Sequence, residues 1–482
     1  MMKSARPELT PAFISHAQAI LGDGGFSREA SDLSHYGQDW SGILEPAPSA
    51  IAFPRTTEQV SALLTLCSEA KIAVVPSGGR TGLSGGACAA NGELVISLAK
   101  MNKMGEVDVA SRTVRVQAGA VTQGVHEHCA AYGLTWPVDF ASKGSSQVGG
   151  NINTNAGGVR VIHYGNTRNW VLAIEMVAMS GAVFELNGDL EKNNTGYDLR
   201  NLIIGSEGTL GIVTAATLKL TPPPKRAQVY LFAVENMNKV IDLFSEARRG
   251  PFELLAFECL SALCYRESLK FFKLAPPVGG DSAGVFVLME IEDNGTDDAS
   301  EAGEAWLTGL FEKSAVLDGV KAQSPREAET LWKIREGVAE SVMAQGAKDA
   351  GAGHSVVHQH DVSVPIACLQ EFADGIEVQY RRDYPKFEVF IFGHIGDGNL
   401  HIFIRRPEGM STEEFLKQCK ASDQALFRFV QKFKGSISAE HGIGVLKKAA
   451  LPFTRSSLEI EILRGVKRVF DPQGLLNPGK LI

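Results

Sequence analysis

Short apolar runs separated by glycine-rich loops dominate the first half of the chain. In residues 50–75, "AIAFP" reads as a strand and Thr56 with Gln59 as the capping box that starts a helix. Val60, Leu63, Leu64 and Cys67 then recur at the spacing of one buried helix face, and "IAVV" at 72–75 returns as a strand. "ELVISL" and "TVRVQAGA" add further short strands. Beyond residue 225 the pattern changes. Strands such as "QVYLFAV" and "GVFVLMEIED" alternate with longer amphipathic helices such as "VIDLFSEARRG". Between the regimes lies "TPPPK" at 221–225, where consecutive prolines can continue neither a helix nor a central strand. The tail, "SISAEHGIGVLKK…FDPQGLLNPGKLI", is again rich in glycine and turn residues. The expected fold class is α+β: a first domain over residues 1–222, an inserted α+β domain over 223–434, and a segment at 435–482 that returns to the first.

Composition narrows the class. With 482 residues the chain can build two or three cored domains, and 21% charged with 44% hydrophobic residues is ordinary for a globular protein. A net charge of -8 without any dense Lys/Arg run argues against nucleic acid as partner. No apolar stretch approaches the roughly 18 residues of a membrane span, and "MMKSARPELTPAFISHAQ" lacks the apolar core of a secretory signal. Seven cysteines, odd in number and without a CxxC pair, fit reduced thiols, so the expected location is cytoplasmic.

Three glycine-rich loops carry the first chemical signal: "PSGGRTGLSGGA" (76–87), "GSSQVGGNINTNAGG" (144–158) and "IIGSEGTLGIVT" (203–214). Glycine lets backbone amides approach a ligand closely, and three such loops suggest a cradle for a pyrophosphate. No G-x-G-x-x-G occurs, which argues against a nicotinamide-dependent dehydrogenase. "GLLNPGK" imitates a phosphate loop, but Leu481 stands where Ser or Thr is required.

The second signal is "VFIFGHIGDGNLHIFI" (389–404). A two-residue turn at Asp397-Gly398 pairs His394 with His401 across a hairpin, on one face and roughly 5 Å apart at Cβ. Two imidazoles so placed can meet at one metal ion, or be hairpin residues bonded to backbone.

Taken together with "KNNTGYDLRNLIIGSEGTLGIVT", "AEHGIG" and "DPQGLLNPGK", these segments resemble, in order and over nearly the whole chain, the FAD-dependent D-2-hydroxyacid dehydrogenases. That family includes the D-lactate and D-2-hydroxyglutarate dehydrogenases, and "NNTGYDL" leans toward the latter. The resemblance implies a flavin fold of the vanillyl-alcohol oxidase type, with a two-subdomain FAD domain and an inserted substrate domain. It implies that Pro76, Ser77, Gly78, Gly79, Arg80, Thr81 and Gly82 wrap the FAD pyrophosphate. Ser146, Gly149, Gly150, Asn151, Thr154 and Gly157 would line the cofactor, as would Glu207, Gly211 and Val213, with Asn399 and Asn477 near the isoalloxazine. No His or Cys falls within 76–87, so the FAD is expected to be non-covalent.

The resemblance also adds Glu440 to His394 and His401 as ligands of a divalent metal, zinc or manganese, holding the hydroxyl and carboxylate of a D-2-hydroxy acid. His441 would be the base, with hydride going to FAD and the 2-oxo acid as product. Arg335 would bind a substrate carboxylate. At three family substrate positions this chain has Ala339, Gln359 and Phe403, which weakens the case for a second carboxylate and leaves the substrate tail open between D-2-hydroxyglutarate and shorter, D-lactate-like acids. His354, His358 and His360 in "GHSVVHQHD" read as satisfied histidines or a second metal site. An electron-transfer flavoprotein or a quinone would accept the electrons, and a homodimer is implied. Two rivals remain: an FAD-dependent oxidase of the same superfamily acting on another alcohol, and a non-catalytic flavin- or metal-binding protein.

Overall fold

The computed structural model describes residues 8–42, 44–279, 282–293, 297–349 and 357–482. The chain folds into two compact units. The first takes the chain up to Gly158, then Gly165–Pro223 and Glu440–Ile482; the second takes Val159–Tyr164 and Pro224–Ala439. Residues 159–164, inside the expected first domain, go with the second unit because Arg160 pairs with Glu290 at 2.7 Å and Ile162 packs on Gly396. The return begins at Glu440 and not at 435. Ser436 is still paired with Ser363, and the Ala439 amide bonds to the Asp361 carbonyl.

The first unit holds two sheets. Strands β1 (Phe26–Ser27), β2 (Ala50–Ala52), β3 (Val74–Ser77) and β4 (Leu94–Ser97) form one, in the order β1-β2-β4-β3, with β2, β4 and β3 parallel. Strands β5 (Met104–Asp108), β6 (Thr113–Gln117), β7 (Val171–Val177), β8 (Val183–Leu186) and β9 (Ile212–Lys219) form an antiparallel sheet ordered β5-β6-β9-β7-β8. The helix read from sequence spans Thr57–Ala70 and buries Val60, Leu63, Leu64 and Cys67. Its Thr56 hydroxyl accepts from the Gln59 amide, while the Gln59 side chain reaches back to Arg55 N–H. The tail docks on β3, where Asn477 N–H donates to the Val74 carbonyl at 2.7 Å.

The second unit is built on one antiparallel sheet. Its strands are β10 (Ala227–Val234), β11 (Glu253–Ser261), β12 (Val285–Glu292), β13 (Asp318–Lys321), β14 (Val357–Ser363), β15 (Glu388–His394) and β16 (Asn399–Arg405), in the order β13-β10-β12-β11-β15-β16-β14. Helices Ala262–Phe272, Pro325–Glu336 and Val338–Asp349 share a core with Phe390, Phe392 and Phe403 from the sheet. The seven cysteines are free, and burial pushes the thiols of Cys259 and Cys264 up to about 12, which makes them inert packing groups. Among the described residues, no helix is long and apolar enough to cross a membrane.

Candidate active site

The histidine hairpin forms, in a different register. Phe392 faces His401, Gly393 faces Leu400, and His394 faces Asn399. The two-residue turn expected at Asp397-Gly398 is replaced by a four-residue loop: a 3₁₀ turn over Ile395–Asp397 closed by Gly398 at φ +79°. The loop is held by contacts from outside the hairpin: Ile395 is fully buried within it, and the Gly398 carbonyl accepts the Val364 amide. Side chains alternate with period two, so a slip of two residues keeps every residue on its face. His394 and His401 are therefore diagonal neighbours, with ring centroids 5.3 Å apart.

Behind them lies Glu258, which sequence reasoning missed. It stands opposite His394 on β11 and is 1% exposed. One carboxylate oxygen is 2.7 Å from His394 Nδ1 and the other 2.7 Å from Arg335 Nη2. A carboxylate at Nδ1 fixes the ring orientation and turns Nε2 to the opposite side. Arg335 is itself buried, with its guanidinium 5.1 Å from the Phe392 ring centroid; its contact with Glu258 is an ion pair without hydrogen-bond geometry, and its Nε–H has no protein partner. The signal for Glu258 was available: one acid inside the apolar run "LLAFECLSAL" needs a buried partner.

Phe403 is core, 5.1 Å from Phe392, and Ala339 packs against the same cluster. Gln359 lies opposite Phe403 on β14. The Asn399 amide donates to Asp361 Oδ1 at 2.8 Å and to the Val362 carbonyl at 2.9 Å, leaving its buried Oδ1 without a protein partner. His354 lies outside the described residues.

In the first unit the glycine-rich loops converge. Pro76 and Ser77 end β3, and a methyl group at Gly79 would collide with the Ser145 carbonyl, so only glycine lets loop 76–87 lie against loop 144–158. Arg80 takes φ +58° and sends Nη2 to His35 at 2.8 Å; Thr81 is half-buried and Gly82 exposed. The Ser146 hydroxyl and the Asn151 amide both bond to Thr122, each at 2.7 Å. Gly149 N–H donates to Ala118, Gly150 faces open space, Thr154 bonds back to the Gly150 carbonyl, and Gly157 follows in the next loop. Gly211 packs on Met176, and Val213 is core.

Glu207 does something the sequence did not suggest. Its two carboxylate oxygens accept the Ile443 and Gly444 amides, each at 2.7 Å. Enclosure raises its pKa above the usual carboxylate value, opposed by those two amides and by Lys447. The Ser84 hydroxyl donates to the His441 carbonyl at 2.9 Å. Gly444, at φ +50°, has the Ser84 carbonyl where a side chain would go. The first and third loops thus clamp "EHGIG". Asn477 joins the same two loops, donating to the carbonyls of Gly86 and Glu207.

Two family models match the chain: an FAD binding domain over residues 48–187 and the C-terminal domain of FAD linked oxidases over 223–481. A D-2-hydroxyglutarate dehydrogenase of Stutzerimonas stutzeri is 41% identical, over 98% of this chain and 99% of its own. Another, of Xanthomonas citri pv. viticola, is 45% identical over 94% and 93%. The chain belongs to the FAD-dependent D-2-hydroxyacid dehydrogenase family. Among solved structures, an alkyldihydroxyacetonephosphate synthase superimposes with TM-score 0.76 at 17% identity, covering 99% of this chain and 87% of that one. The 4-ethylphenol oxidase from Gulosibacter chungangensis gives 0.74 at 16%, covering 99% and 98%. The α+β flavin fold expected from sequence is the fold observed, and the protein is an FAD-dependent oxidoreductase.

The residues of this flavoprotein fit that cofactor. Ser77 Oγ, Gln147 Oε1 and Asn477 Oδ1 are buried polar atoms without a protein partner, on the first loop, the second loop and the tail. Buried polar groups are almost always satisfied, so three on neighbouring loops mark where polar ligand atoms belong. Gln147 was not among the residues expected from sequence.

Proposed function

We propose that this enzyme oxidises a D-2-hydroxy acid, D-2-hydroxyglutarate or a shorter D-lactate-like acid, to the 2-oxo acid. The observation that carries the reading is the Glu258 bridge, in which a single buried carboxylate holds both His394, a ligand of the proposed ion, and Arg335, the carboxylate-binding arginine. The names of the relatives support the substrate class.

His394 and His401 would hold a divalent ion, with Glu440 as third ligand, and this N,N,O set suits zinc or manganese. Such an ion supplies Lewis acidity toward the substrate hydroxyl, and FAD supplies the acceptor for the Cα hydride. The chain's own residues do the rest. Arg335 offers its unpartnered Nε–H to the substrate carboxylate. His441 takes the hydroxyl proton on its imidazole as general base. Ser84 and Glu207 hold the backbone around His441, so the base is positioned before substrate arrives. Electrons would leave to an electron-transfer flavoprotein or a quinone.

The test is anaerobic mixing of FAD-loaded protein with D- and L-2-hydroxy acids. The D acids reduce the flavin, and His441→Asn slows that step by roughly 10²- to 10⁴-fold. Flavin reduction that is unchanged in His441→Asn refutes the assignment of the base.

A further inference from the structure

Edge strand β14 presents a second histidine pair on the face away from Gln359 and Asp361. His358 and His360 are two residues apart and so share that face. Both point to Asp423 on helix Thr412–Lys432: His358 Nε2 is 2.6 Å and His360 Nε2 3.1 Å from the same oxygen, Oδ1. The rings stand 4.7 Å apart at 88°, and the three ligand atoms lie within 4.8 Å of one another.

We propose that His358, His360 and Asp423 form a binding site for zinc or a similar late first-row divalent ion, which staples β14 to helix Thr412–Lys432. Ligand bonds of about 2.0–2.2 Å to a tetrahedral ion place neighbouring ligand atoms roughly 3.3 Å apart. The His360 contact is already near that value, and the His358 contact reaches it by opening less than an ångström. Two imidazoles and one carboxylate favour zinc, cobalt or nickel over calcium and magnesium, which prefer all-oxygen shells. Access is available from one side. The His360 side chain is 4% exposed, whereas those of His358 and Asp423 are 24% and 21% exposed, so an ion can enter there and keep a water as fourth ligand. The opposite face of the same strand carries Asp361, which holds the Asn399 amide. An ion at His358 therefore stiffens the strand that shapes the substrate unit, without touching His394 or His401.

Zinc content after dialysis, measured by plasma mass spectrometry on FAD-loaded protein, tests this directly. His358→Gln and Asp423→Asn are each predicted to lose one zinc equivalent relative to wild type, while His394→Ala retains that equivalent. Buffered zinc should raise the melting temperature of His394→Ala but not of His394→Ala/His358→Gln. The two sites separate cleanly: zinc lost on His358→Gln but unchanged on His394→Ala supports this site and counts against zinc as the ion at His394. Wild-type zinc content in both His358→Gln and Asp423→Asn, with flavin content showing them folded, leaves a metal-free His–Asp–His clamp and overturns the proposal.

Discussion

Glu258→Gln removes one charge and almost no volume from the centre of the second unit. Glu258 is 1% and Arg335 4% exposed, so the substitution leaves a buried guanidinium without its counter-ion. Breaking one half of such a pair costs about 3–5 kcal/mol. At about 2–4 °C per kcal/mol for a unit of this size, the melting temperature should fall by at least about 6 °C. The same change weakens the hold on His394 Nδ1, and losing such a partner typically costs about 10–100-fold in metal affinity or activity. Two assays separate the effects: thermal melting of FAD-loaded protein, and the rate of anaerobic flavin reduction. Adding Arg335→Met to Glu258→Gln removes the uncompensated charge, so stability should recover while reduction stays slow. A Glu258→Gln protein that melts within about 1 °C of wild type and reduces its flavin at the wild-type rate refutes the bridge as a working part of the site.

Ser77→Ala should leave the apoprotein's melting unchanged and weaken FAD about fivefold, the worth of one hydrogen bond, because Ser77 Oγ has no protein partner; unchanged FAD affinity counts against the cradle. Glu207→Gln sets an amide N–H against a backbone N–H, and should speed hydrogen exchange at Ile443 or Gly444 at least about tenfold; unaltered protection would mean the clamp is unimportant. Gln359→Lys should shift kcat/KM toward D-2-hydroxyglutarate over D-lactate by about tenfold or more if a second carboxylate reaches β14, and an unmoved ratio places the substrate tail elsewhere. Phe403 is a poor partner for that experiment, since converting a buried Phe to a small polar residue would cost about 3–5 kcal/mol before substrate is considered.

What was legible in the sequence was whatever local pattern decides. The helix Thr57–Ala70 announced its cap and its four buried positions, and the triple proline stands at the boundary between the units. The hairpin's existence and facing were legible, whereas its register was not. An Asp-Gly pair favours a two-residue turn, but the packing of Ile395 inside the observed loop and the Val364–Gly398 bond are tertiary contacts that the turn residues do not encode. Glu258 was missed for a related reason: it lies 136 residues from His394 in sequence, and only strand pairing brings them together. Glu207 matched a cofactor motif, yet its carboxylate holds the backbone that carries His441 in place. Residues 159–164 went with the second unit because of Arg160–Glu290, an ion pair spanning 130 positions that no local pattern announces.

The most direct test of the account is rapid anaerobic mixing of FAD-loaded wild-type protein with D-2-hydroxyglutarate, D-lactate and their L enantiomers, followed by flavin absorbance and product analysis. At least one D acid should bleach the flavin in a single turnover and yield one equivalent of its 2-oxo acid, with the L enantiomers inert. A flavin that stays oxidised with every D-2-hydroxy acid, in FAD-loaded protein supplied with zinc and, separately, with manganese, would contradict the proposed reaction.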